Sequence, residues 1–167
     1  MDTMSNSLIS DLIKLVDANQ LRQNLFSLSK SPLPYRKLNH TVPGNRKNTL
    51  YQTDDFIQKK LESWGYEVQK EGVKVRAFSC DISKPKSHQY SSPMEDSPWF
   101  TAYNLSVKKT GLVYPEEIIL FLSHKDSQSW VDSPGAYDNC SGTVSTMEIA
   151  RVLKDYPAQR SFWFLFC

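Results

Sequence analysis

Glu117-Ile118-Ile119-Leu120-Phe121-Leu122 is a continuous apolar run of the kind found in a strand covered on both faces. Ser161-Phe162-Trp163-Phe164-Leu165-Phe166-Cys167 repeats the buried-strand pattern. Between them Val144, Met147, Ile149, Ala150 and Leu153 support a helix from about Ser141 to Tyr156, closed by Pro157. Strand, helix and strand in that order form a crossover unit of an α/β sheet, with the first strand expected in mid-sheet.

Working outward, Thr101 to Val107 reads as a strand, and Tyr66 to Phe78, with Val68, Val73 and Val75, as one strand or two. Leu8, Leu12, Leu15 and Val16, then Leu21, Leu25 and Leu28, recur at steps of three and four behind a Ser5-Asn6-Ser7 cap cluster. This predicts an amphipathic helix with a break near Asn19. Pro32, Pro34, Pro43 and Gly44 exclude regular structure through about residue 47. A helix is expected from about Leu50, carrying Phe56, Ile57, Leu61 and Trp64, with Gly65 placed for a left-handed C-terminal cap. Residues 79–98 hold six Ser and three Pro with few aliphatics, which reads as an irregular loop rather than a linker between two cores.

The 167 residues include 20 Lys or Arg and 18 Asp or Glu, a net charge of +2, with 40% hydrophobic and 23% charged residues. That is the composition of one globular domain, here spanning 1–167, able to bury a core without disulfides or structural metal. Near-neutral charge with no run of basic residues argues against nucleic-acid and membrane-surface partners. Cys80, Cys140 and Cys167 are widely spaced and odd in number, so no disulfide framework is expected. The N-terminus lacks a cationic n-region and a secretory apolar core, which points to a cytoplasmic setting. On that setting the three glycosylation sequons, at Asn39, Asn104 and Asn139, carry no modification.

The chemistry gathers in Ser123-His124-Lys125-Asp126-Ser127 and in Asp132-Ser133-Pro134-Gly135-Ala136-Tyr137-Asp138-Asn139-Cys140-Ser141-Gly142-Thr143. His124 follows directly on a predicted strand, at the carboxyl edge where open α/β sheets place ligands. Imidazole and carboxylate suit zinc and related ions, and Asp138 lies on the loop into the next helix, 138 − 124 = 14 residues on. Asp126, two positions past His124, is placed to take the other imidazole nitrogen and fix the tautomer. Taken singly, a His at a strand end or a Pro-Gly turn is ordinary; the ordered combination is not explained by turns and caps. His40 and His88 sit in Pro- or Ser-rich loops and read as structural or solvent-facing. A serine hydrolase is disfavoured because no Gly-x-Ser-x-Gly elbow is present.

These stretches closely resemble metallopeptidase family 28, the zinc-dependent aminopeptidases of the bacterial leucyl aminopeptidase type with related carboxypeptidases and glutaminyl cyclases. The resemblance implies a three-layer α/β/α sandwich with a mixed β-sheet, of which this chain is the N-terminal portion, incomplete at the C-terminus. It also implies two zinc ions, with His124 a terminal ligand of one and Asp138 the bridging carboxylate, Asp126 supporting His124, and a peptide or aminoacyl substrate. Lys125 departs from a family position that is more often apolar or aromatic, and Tyr137 from one where a second Asp is common. The family's Glu-Glu pair, including its general base, falls beyond Cys167, so the 167-residue chain is expected to be an inactive fragment. The alternative is a truncated, non-catalytic homologue serving as an interaction module.

Overall fold

The computed structural model describes residues 3–167, with side chains from Leu8 onward. The first helical pattern resolves into α1 (Thr3–Lys14) and α2 (Ala18–Ser29). Asp17 causes the break: its carboxylate accepts from the Asn19 and Gln20 backbone N–H groups at 2.9 and 3.0 Å and caps α2, two residues before the expected break. Because α1 starts at Thr3, Ser5-Asn6-Ser7 lie within the helix instead of capping it, and their side chains fall outside the described residues. Residues 30–48 cross irregularly to α3 (Thr49–Ser63), capped by Asn48. Gly65 follows in the left-handed conformation at φ +80°, as the sequence predicts.

β1 (Gln69–Arg76), β4 (Trp99–Lys109), β5 (Tyr114–Ser123) and β6 (Arg160–Phe166) form one sheet in the order β1-β4-β6-β5, with the short β2 (Ser79–Cys80) and β3 (Tyr90–Ser91) numbered between them. β1 and β6 each pair antiparallel with β4, whereas β5 and β6 pair in parallel across α4 (Gly142–Leu153). The expected crossover unit is therefore present, and the fold is α/β with a mixed sheet. The 79–98 segment is less irregular than its composition predicts. Ser79 pairs with Ser91 and Cys80 with Tyr90, and a single 3₁₀ turn spans Lys86–His88.

Phe162, Phe164 and Phe166 of β6 alternate onto one face, where Leu105 and Val107 of β4 join them. Ile57 and Leu61 of α3 and Met147 and Ala150 of α4 cover that face, and all four are fully buried. Leu28 and Leu33 make a second cluster with Cys140 and Val144, which seats α2 beside α4. All three cysteines are unpaired. No helix among the described residues is long and apolar enough to cross a membrane.

One strand placement differs from expectation. β5 pairs only with β6 and so forms an edge among the described residues, with Ile118, Leu120 and Leu122 exposed at 44%, 50% and 57%. The inner position beside it is taken by β6, which is flanked by β4 and β5. An apolar run announces that a strand suits cover on both faces; it does not say which part of the chain supplies the cover. The described helices lie on the Phe164 face, and Trp163 and Leu120 of the opposite face stay partly or half open.

Beyond Pro115, Glu116 and Glu117, the rest of β5 is an uncharged apolar edge, unpaired among the described residues, and such an edge is a template for strand addition. Leu120→Lys, on the open face, is expected to leave the melting temperature within a few degrees and to reduce self-association in sedimentation velocity. A large loss of stability would mean that this face is covered in solution.

Candidate functional site

β5 ends at Ser123, and the parallel ladder continues one step past it: Cys167 N–H donates to the Ser123 carbonyl at 3.0 Å and Lys125 N–H to the Cys167 carbonyl at 2.8 Å. Extended backbone alternates its side chains. His124 and Asp126 therefore face the open carboxyl edge of the sheet, while Lys125 turns into the interior. The Thr143 hydroxyl at the start of α4 donates to the His124 carbonyl at 2.9 Å and ties the second motif to the first.

The three candidate residues converge. His124 Nδ1 lies 3.1 Å from Asp126 Oδ1, and its Nε2 lies 2.9 Å from Asp138 Oδ1. The other Asp126 oxygen accepts from the Gln128 backbone N–H at 2.8 Å, so that carboxylate is held at both ends. A neutral imidazole has one N–H and one lone pair. Facing carboxylates with both nitrogens, it is satisfied only by a second proton or by a cation shared between Nε2 and Asp138. That donor set fits a divalent ion. No group of three or more His, Cys, Asp and Glu that could hold a metal ion is found among the described residues, so His124 and Asp138 do not by themselves make up a zinc shell. The Asp138 side chain is 84% exposed, which leaves its approach open. A cleft of about 250 Å³ adjoins it, lined by His124, Ser127, Gln128, Ser129, Tyr137 and Asp138 among others. His40 packs edge-on against Tyr35 and His88 is exposed; neither joins the group.

Sequence reading missed what supports this arrangement. Arg36, 1% exposed, donates through Nε to the Lys125 carbonyl at 2.8 Å, through Nη1 to the carbonyls of Leu28 and Pro134 (2.8 Å to the latter), and through Nη2 to Gly135 at 3.1 Å. Its backbone exchanges hydrogen bonds with Ser127, accepting from Ser127 N–H at 3.0 Å and donating to Ser127 Oγ at 2.9 Å. Gly135 has φ +55°, and a Cβ there would stand 2.6 Å from the Asp138 carbonyl oxygen and 3.0 Å from Arg36 Nη2. Glycine is thus required twice over. Lys37, also buried, donates to Asp132 at 2.7 Å and to the Tyr90 hydroxyl at 2.9 Å. Tyr90 donates to Asp132 at 2.7 Å, and Phe78 stacks on Trp130 at 4.5 Å, so the 79–98 excursion is fastened to the loop below Asp138.

Lys125, the departure noted above, is answered by Asp54 of α3. The ammonium lies 3.4 Å from Asp54 Oδ1 and also donates to the Tyr103 carbonyl. Asp54 is fully buried; desolvation pushes its carboxyl up from the usual range, and Lys125 is the largest opposing influence. The available signal was alternation: a residue between two edge-facing ligands must point inward. Its partner, on another element, leaves no trace in local spacing.

Residues 104–167 match the model of peptidase family M28. Over 163 residues the chain is 23% identical to "Probable aminopeptidase YDR415C" of Saccharomyces cerevisiae, covering 95% of this chain and 37% of that protein. Over 61 residues it is 38% identical to aminopeptidase YwaD of Bacillus subtilis, covering 36% of this chain and 13% of the relative. The chain thus spans little more than a third, at most, of these curated relatives. Among solved structures, the aminopeptidase from Aneurinibacillus sp. strain AM-1 superposes with a TM-score of 0.70 at 12% identity, over 93% of this chain and 63% of that one. A Zn-dependent exopeptidase from Parabacteroides distasonis gives 0.58 at 16% identity, over 90% and 46%. Fimbriiglobus ruber glutaminyl cyclase gives 0.60 at 16% identity, over 90% and 45%. At such identities the likeness is one of fold.

Removing one member of a buried ion pair leaves the other charge stranded. Lys125→Met is therefore expected to lower unfolding free energy by about 3–5 kcal/mol, while Lys125→Met with Asp54→Leu recovers most of it. Urea denaturation of both variants checks this; equal losses in the two would mean the pair is not coupled.

Proposed function

From the premise that residues 104–167 carry the sequence pattern of peptidase family M28, with aminopeptidases among the relatives, we propose that this chain contributes to a zinc-dependent aminopeptidase-like hydrolase. The observation that carries the reading is the imidazole of His124 held between Asp126 and Asp138. His124 Nε2 and Asp138 are the metal donors this chain offers, and a bound zinc supplies an activated water and stabilisation of the oxyanion in peptide hydrolysis.

The chain's own residues prepare the donors. Asp126, anchored by the Gln128 N–H, accepts from Nδ1–H, which leaves the Nε2 lone pair facing Asp138 and raises its basicity. The exposed Asp138 carboxylate and the polar cleft beside it leave room for further donors and for a peptide or aminoacyl substrate. Two donors do not complete a zinc shell, which takes three or four protein ligands. The remaining ligands and the general base lie outside the described residues in this reading, and the 167-residue chain alone is inactive.

A second reading, a non-catalytic interaction module, is favoured by one observation: the unpaired apolar edge of β5. Zinc titration of the 167-residue chain by calorimetry, paired with an aminoacyl nitroanilide assay, separates the two. The peptidase reading expects measurable zinc binding, abolished in His124→Ala and weakened about 10–100-fold in Asp126→Asn, without cleavage. Zinc binding that is absent, or indifferent to His124→Ala, would favour the module. Chelator-sensitive cleavage by this chain alone would overturn its inactivity.

A further inference from the structure

Arg36 is a buried cation with no carboxylate in contact, and each hydrogen bond its side chain makes is to a backbone carbonyl. Burial lowers its proton affinity. A guanidinium placed there costs desolvation, so the arrangement is informative about what it holds. It joins three regions through one side chain: the end of α2 at Leu28, the segment after β5 at Lys125, and the loop at Pro134 and Gly135. The second carries His124 and Asp126; the third leads within three residues to Asp138.

The geometry points to Arg36 as a positioning residue that sets the spacing between the His124 imidazole and the Asp138 carboxylate. This rests on reading the two as donors of one metal site. The His124–Asp126 contact is local, spanning two residues of one extended segment, and needs no clamp. The His124–Asp138 contact spans 14 residues, and the loop between is bound to the strand end through Arg36. Its fork geometry matters as much as its charge, because one side chain must reach carbonyls lying in different directions. The reciprocal backbone bonds between Arg36 and Ser127 hold the guanidinium's own stem in register with the segment it clamps.

Two variants of the full 167-residue chain test this: Arg36→Lys, which keeps the charge and loses the fork, and Ser127→Ala, which removes only the hydroxyl accepting from Arg36 N–H. The readout is the pair of His124 ring nitrogens in long-range ¹H–¹⁵N correlation spectra at one fixed pH without metal, with circular dichroism and melting as controls for folding. The expected result is selective: the Nε2 resonance shifts markedly in Arg36→Lys and less in Ser127→Ala, while Nδ1 keeps its wild-type position. A structural role alone would move both nitrogens or neither, and either pattern in a folded variant overturns the proposal. If Arg36→Lys does not fold, Ser127→Ala decides by the same criterion; if neither folds, Arg36 is a folding residue and the positioning role is withdrawn. Zinc titration of the wild-type chain runs separately. Its failure would remove the metal reading while the selective Nε2 shift still reported on the clamp.

Discussion

The buried guanidinium of Arg36 is the constraint on which the site's geometry depends. Arginine stays charged in the interior, so each of its donors needs an acceptor, and here backbone carbonyls of three chain segments serve. The dependence runs both ways. The Leu28 carbonyl, in the last turn of α2, has no helical partner and takes the guanidinium as its donor, and the Gly135 carbonyl accepts from Arg36 as well as from the Cys140 N–H. Lysine, a compact ammonium on a flexible stem, does not span these directions. The same requirement makes Gly135 obligatory, since a side chain there would fill the space between Arg36 and the Asp138 carbonyl.

Beneath the cleft the segment after β5 separates two electrostatic environments by alternation alone. His124 and Asp126 face solvent, with side chains 44% and 34% exposed, where a partner or an ion compensates charge cheaply. Lys125 and Ser127 face inward, and each meets a specific answer: Asp54 and the Tyr103 carbonyl for the ammonium, the Arg36 backbone for the serine. A position that tolerates an apolar residue can hold a lysine only when such a set is supplied. Lys125 and Asp54 are thus one feature distributed over two distant elements.

That distribution explains what was legible in the sequence. That His124, Asp126 and Asp138 meet was readable because spacings of two and 14 residues, placed after an apolar strand and before a helix, are local facts. α3, α4 and the crossover were readable from periodicity and caps for the same reason. Arg36, Lys37 and Asp54 were not, because their roles exist only after contacts across 89, 95 and 125 − 54 = 71 residues have formed. The 79–98 stretch was misread in part: Tyr90 is fixed by Lys37 and Asp132, partners that composition does not disclose.

The error over β5 has a sharper lesson. Ile118-Ile119-Leu120-Phe121-Leu122 reads as doubly covered, yet the described helices cover the face bearing Phe121, which stacks on Phe164 at 5.1 Å, and leave Leu120 and Leu122 open. Pairing preference and burial are separate properties: the first placed β5 beside β6 in parallel, the second is met only on one side. The carboxyl end of that same strand delivers His124 to its contact with Asp138. The uncovered apolar residues and the His124–Asp138 contact thus belong to one strand and the segment that continues it.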